Sequence, residues 1–195
     1  HLSLRRQRQM CIRDSITGVP NITLKKLKIS GNCRFDPGGT NQTIVVSDTF
    51  FIAQGKTFSY GISNSKMNFS LAATAVGDIR GEMIMNTSTP AGTFTSSGSL
   101  QMGASALIRG TGAFTLNAGA SFSIGSSAGI SAGTVLSGNI QVTGLRTYSP
   151  AANYIYAGTA AQSSGDGLPD QLTGNLYINN VNGVTPVSYT HLRAH

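Results

Sequence analysis

The chain has 195 residues, 24 of them glycine, with 39% apolar residues, 11% charged residues and no tryptophan. Fourteen Lys and Arg against seven Asp and Glu give a formal net charge of +7 and a pI of about 9.8, at a mean hydropathy of 0.00. Straight-chain helix formers are scarce and glycine is scattered, which excludes helices of three turns. No run approaches the roughly 18 continuous apolar residues of a membrane-spanning helix. Two cysteines, Cys11 and Cys33, do not make a disulfide framework.

The two ends differ from the rest. Residues 1–15, running from His1 to Ser15, resemble a translated sequencing-library adapter, and so do residues 187–195, Val187 to His195. The resemblance implies an internal piece of a longer protein with an accidental tail at each end, and such tails are set aside before fold reasoning. All three histidines (His1, His191, His195) and Cys11 lie in these tails. So do Arg5, Arg6, Arg8, Arg13, Arg193 and Asp14. Without them nine basic residues face six acidic ones, a net charge of +3. The basic balance therefore argues poorly for a nucleic-acid or membrane partner. The competing reading is a phosphate-binding basic arm at Arg5-Arg6-Gln7-Arg8, which makes the chain a basic-tailed nucleic-acid binder.

Along the body, residues 16–186, the apolar period is two, so the spacing predicts short strands bounded by Gly, Ser or Asn. Ile22 and Leu24 share a parity that Leu27 and Ile29 break, which predicts a corner or bulge at Lys25-Lys26. Gly55-Lys56-Thr57 lacks the earlier glycine of a phosphate-binding loop, since Phe50 stands there, and reads as a turn before a strand. In the run from Asp78 to Met85, Ile79, Met83 and Met85 take one face and Asp78, Arg80 and Glu82 the other. Phe114 and Leu116, Phe122 and Ile124, Ile140 and Val142, and Leu176 and Ile178 alternate in the same way.

The segments also repeat. Ala91 to Gly103 overlays Gly112 to Gly125, Phe94 on Phe114, with offsets of 20 to 22 residues. Short strands at that period predict an all-β fold, a β-solenoid whose turns each bury their apolar face on the next. At about 20 residues per turn the body makes roughly eight turns, a rod of roughly 40 Å. The alternative is a β-sandwich, which needs tight hairpins; only Asn182-Gly183 and Asp166-Gly167 offer the dipeptide.

The chemical motifs are weak. Gly125-Ser126-Ser127-Ala128-Gly129 has the spacing of a nucleophile elbow, but the body supplies no histidine to take the proton of Ser127. Gly110-Thr111-Gly112 lacks the third glycine of a dinucleotide fingerprint, Thr115 standing in its place. Asp166 and Asp170 flank Gly167-Leu168-Pro169 and read as turn formers. Asp78, Arg80 and Glu82 are the best polar cluster and, with Tyr177, the candidates for sugar contact. On one strand Asp78 and Glu82 stand about 13 Å apart, too far for paired acid–base work. Tyr154 and Tyr156 fit either a core or a surface. A flat threonine face that binds ice needs threonines repeated turn after turn; Thr93-Phe94-Thr95 is one instance and Ala113-Phe114-Thr115 does not continue it. No catalytic residue, metal ligand or cofactor site is expected.

From about Leu100 onward the chain runs through Gly112 to Ile130, Gly138 to Gly144, Arg146 to Tyr148, Ala152 to Gly158, Gly167 to Pro169, Leu176 to Asn180 and Gly183 to Thr185. This order of segments resembles the repetitive regions of very large secreted or surface proteins of Bacteroidetes-type bacteria. Many such proteins end in a type IX secretion sorting domain, which this chain does not contain. The resemblance implies a right-handed parallel β-helix outside the cell or on its outer surface, and it brings no catalytic residues. The expected role is a structural or adhesive stalk segment without catalysis. Surface glycans, host or neighbour cell surfaces and further solenoid repeats of the same parent chain are the expected partners. A carbohydrate-binding or carbohydrate-active β-helix is the alternative. Both ends of such a segment are expected to expose unpaired strand edges.

Overall fold

Each short alternating segment has one apolar face to bury and too few residues to bury it alone. The computed structural model describes residues 21–35, 41–60, 66–85 and 91–187. Residues 1–15 and 188–195, and with them all three histidines, lie outside the described residues. The described residues form strands and turns with no helix. Every strand pair is parallel, so the antiparallel pairing of a β-sandwich is not found among them.

The strands stack on three faces. The first face holds residues 21–24 and 42–46, then Met67–Leu71, Thr93–Ser96, Ala113–Leu116 and Arg146–Tyr148. The second holds residues 26–29 and 49–52, then Val76–Ile79, Ser99–Met102, Ser121–Ile124, Asn153–Tyr156 and Leu176–Ile178. The long strands Asn21–Ile29 and Gln42–Ile52 run across both, joining these faces into one 11-stranded sheet. The third face is a five-stranded sheet of Cys33–Phe35, Thr57–Tyr60, Glu82–Met85, Leu107–Gly110 and Ile140–Val142. Gln162–Ser163 and Val184–Thr185 form a separate parallel pair.

The chain is thus a parallel β-solenoid, of about 6 turns. The count is lower than the repeat offset suggests because the turns are unequal. In-register partners lie 20 residues apart at Phe94 and Phe114, 25 apart at Phe58 and Met83, and 32 apart at Phe114 and Arg146. Corners account for the difference. Between the first two faces only Lys25 intervenes in the first turn, where the register shifts between Leu24 and Lys26 as the parity break predicts. Two turns later the same corner contains residues 72–75. The longest turn carries an insertion at residues 125–139.

Register gives the core its continuity. Ile44, Phe69, Phe94 and Phe114 face inward one above another. Phe69 and Phe94 stack at 5.5 Å and Phe94 and Phe114 at 5.7 Å, both with interplanar angles of 5°. Cys33, Phe58, Met83, Ile108 and Ile140 stand in one register on the third face. Corners approach so closely that a side chain at Gly92 would strike the carbonyl of Met67. Asparagines satisfy corner amides one turn along: the side-chain oxygens of Asn32, Asn41 and Asn68 accept the N–H groups of Thr57, Lys66 and Thr93 at 3.1, 2.9 and 3.2 Å. Phe94→Ala removes the ring between two stacked neighbours and is expected to cost about 3–5 kcal/mol, read as a lower urea midpoint at unchanged slope.

Candidate functional site

Asp78, Arg80 and Glu82, expected as one outward row on a single strand, are split by a corner. Asp78 belongs to the second face, Arg80 and Gly81 make the turn, and Glu82 opens the third face. The turn falls here because Gly81 is buried against the carbonyls of Ala53 and Lys56, where no side chain fits. The Nε of Arg80 donates to both oxygens of Asp78 at 3.2 and 3.1 Å, and its Nη2 lies 2.9 Å from Oδ2. Glu82 is bound instead by Arg109, its neighbour one turn along. Lys28 and Arg80 sit 5.8 and 5.9 Å from the ring of Phe51. Each carboxylate is committed to a different arginine. Such exposed pairs contribute about 0–1 kcal/mol each, and the ridge reads as a solvated, charge-balanced surface.

Tyr177 lies on the outward row of the second face, 47% exposed. Its in-register neighbours are Ile155, Ser123, Gln101 and Asp78, with Phe51 beyond them. The two rings are thus separated by four intervening side chains, so they do not form a paired platform for a sugar.

Two features escape the sequence reading. The first is the end of the core. The residues in register with Phe114, Leu116, Phe122 and Ile124 are Arg146, Tyr148, Tyr154 and Tyr156. Both tyrosines of the latter pair are core residues with 0% exposure. Polar tips replace the hydrocarbon and find carbonyls or a hydroxyl, while the buried Nε of Arg146 has no partner among the described residues. The Nη1 of Arg146 donates to Ser131 Oγ at 2.6 Å and to the Val135 carbonyl at 2.7 Å, and its Nη2 donates to the Gly133 carbonyl. Tyr154 and Tyr156 donate to the carbonyls of Ser149 and Ser164 at 2.8 and 2.6 Å. The insertion 125–139 is pinned by buried Asn139, whose oxygen accepts the N–H groups of Gly125 and Ser126 and whose nitrogen donates to the carbonyls of Gly103 and Ala106. Asp166 accepts the Ala132 N–H at 2.9 Å and so ties a later loop to the same insertion. The expectation of bare edges at both ends holds in part: among the described residues Asn21–Ile29 and Cys33–Phe35 at one end and Leu176–Ile178 at the other each pair on one side only, whereas the insertion reaches the last strands of the first and third faces through Ser131, Arg146 and Ile140.

The second feature is a row of hydroxyls on the outside of the first face. Thr23, Val45, Ser70, Thr95, Thr115 and Thr147 stand in one unbroken register. Beside it runs a row of Asn21, Thr43 and Asn68, continued by Thr93 and Ala113. None of these outward residues is charged. The charged side chains named above project from the second and third faces or from corners, except Arg146 of the first face, which stands in register with inward Phe114. The hydroxyls of Thr49, Thr57, Thr74 and Thr93 are bonded within the protein. Those of Thr23, Ser70, Thr95, Thr115 and Thr147 have no partner among the described residues.

Other motifs resolve plainly. Ser127 lies exposed in a turn with no helix after it, its carbonyl accepting the Ser163 N–H at 2.8 Å. Gly55 takes a positive φ of 67° in a turn before the strand Thr57–Tyr60, as the reading of Gly55-Lys56-Thr57 predicts. Among the described residues no group of three or more His, Cys, Asp or Glu is placed to hold a metal ion, and no helix is long and apolar enough to cross a membrane.

Asn139→Ala leaves several buried backbone groups unpaired and is expected to lower stability by at least about 2 kcal/mol while exposing residues 132–137 to limited proteolysis. Burial also pushes the phenols of Tyr60, Tyr148, Tyr154 and Tyr156 above the ordinary tyrosine range. The folded state therefore keeps protons that the unfolded chain loses above about pH 10, so stability is full below that pH and falls as pH rises past it. A melting temperature that stays level to about pH 9 and drops beyond about pH 10 is the expected result. The chain matches no family model, no curated protein and no solved structure.

Proposed function

We propose that this chain is a spacer and contact segment of an extracellular bacterial surface protein and acts without catalysis. The observation that carries the proposal is the unbroken in-register stacking of turns on three faces around a continuous ring core. Neighbouring turns separate only if the ladders of all three faces and the ring stacks are lost together. The fold gains length by adding turns without growing wider, which suits a stalk. The outer surface supports the same reading. It consists mostly of small uncharged side chains, and Asp48, Asp78 and Glu82 each pair with a lysine or arginine.

The order of segments after Leu100, which resembles repetitive bacterial surface proteins, supports a location outside the cell. The open strand Leu176–Ile178 favours attachment of further solenoid turns there: Ile178, in register with buried Tyr156, is 51% exposed. Shallow polar contacts to glycans or a neighbouring cell surface fit the remaining faces. The test is immunolabelling of intact cells of the source organism, combined with surface proteolysis. Labelling that protease removes from unbroken cells is the expected result. A pool reached only after lysis overturns the proposal.

A further inference from the structure

We propose that the outer surface of the first face binds ice. The argument starts from the hydroxyl row of Thr23, Ser70, Thr95, Thr115 and Thr147, in which Val45 is the one residue without a hydroxyl. Neighbours in that row repeat at the strand spacing, about 4.8 Å, so the row runs about 24 Å along the solenoid. The parallel row through Thr43 and Thr93 lies two residues away on each strand, about 7 Å across. Among the described residues the five hydroxyls take no bond from the protein, although hydroxyls on other faces and corners do, and in the neighbouring row Thr93 donates to Asn68.

Several properties narrow the partner. The face carries no charge, so it does not select a charged ligand. It carries no outward aromatic ring, and stacking rings are what a polysaccharide contact uses; Phe51 and Tyr177 are on the second face. What remains is a periodic, in-register array of hydroxyls and methyls. Threonine and valine are stiff at χ1, so the array is preorganised and little side-chain entropy is lost on contact. A partner that matches it must itself be uncharged, periodic and able to both donate and accept at each point. The surface layer of an ice crystal has that chemistry. The row escapes a search for paired threonines along one strand because Thr95 and Thr115 pair across turns; Ala113 interrupts only the neighbouring row.

The experiment is thermal hysteresis, with ice-affinity partition, of the full chain and two variants. The double variant Thr95→Tyr, Thr115→Tyr places rings in the row, and Gln101→Tyr places one on the second face, where Gln101 is exposed. Melting curves of all three proteins confirm that they fold. The expected result is hysteresis and enrichment in the ice fraction for the full chain and for Gln101→Tyr, with both lost in the double variant. Exclusion of the folded full chain from ice overturns the proposal. So does equal loss in Gln101→Tyr, or binding to insoluble cellulose or chitin in place of ice. The outcome is independent of where the protein resides, so it stands or falls apart from the proposed surface role.

Discussion

Parallel in-register pairing is the constraint on which everything else in this molecule depends. It makes each inward position a column and each outward position a row. Phe69, Phe94 and Phe114 stack because the ladders place them at equal heights on successive turns, with ring planes within 5° of one another. The same ladders assemble the outward threonines, which no local contact would bring together. A shift of one residue in any strand would turn its phenylalanine outward and its threonine inward.

The three faces share one core but differ in surface chemistry. The second and third carry the arginines, their carboxylates and the exposed aromatic side chains. The first carries none of these on its outer surface, its one arginine, Arg146, being turned inward in register with Phe114. Ion pairs such as Arg80 with Asp78 form within or across a corner and between adjacent turns, so they bind neighbours without intruding on the first face. Their contribution to stability is small; their effect is to leave the charged faces balanced.

The fold class was legible because strand parity survives in the sequence: Phe114 and Leu116, or Phe122 and Ile124, announce a buried face without any knowledge of their partners. Corners were less legible. Gly81 marks one because carbonyls of the preceding turn crowd it, a contact between residues far apart in the chain, and so Asp78 and Glu82 read as one strand when they belong to two faces. Turn number was misjudged for a related reason. The best repeat, Phe94 over Phe114, is also the shortest, and the insertion at 125–139 has no periodic pattern to reveal that it belongs inside one turn. Arg146 reads as an ordinary surface cation until its register with Phe114 is known.

The latch across the end of the core has a consequence for the order of assembly. Its insertion, residues 125–139, leaves the fifth turn, but the groups that hold it include Arg146 and Asp166 from later in the chain. The earlier turns each need only the one beside them and can settle in sequence as the chain emerges. The fifth cannot finish until the sixth has been delivered. A chain that emerges amino-terminal side first would therefore form its first four turns in nearly independent steps and complete the fifth and sixth together, so that a later segment secures turns already made.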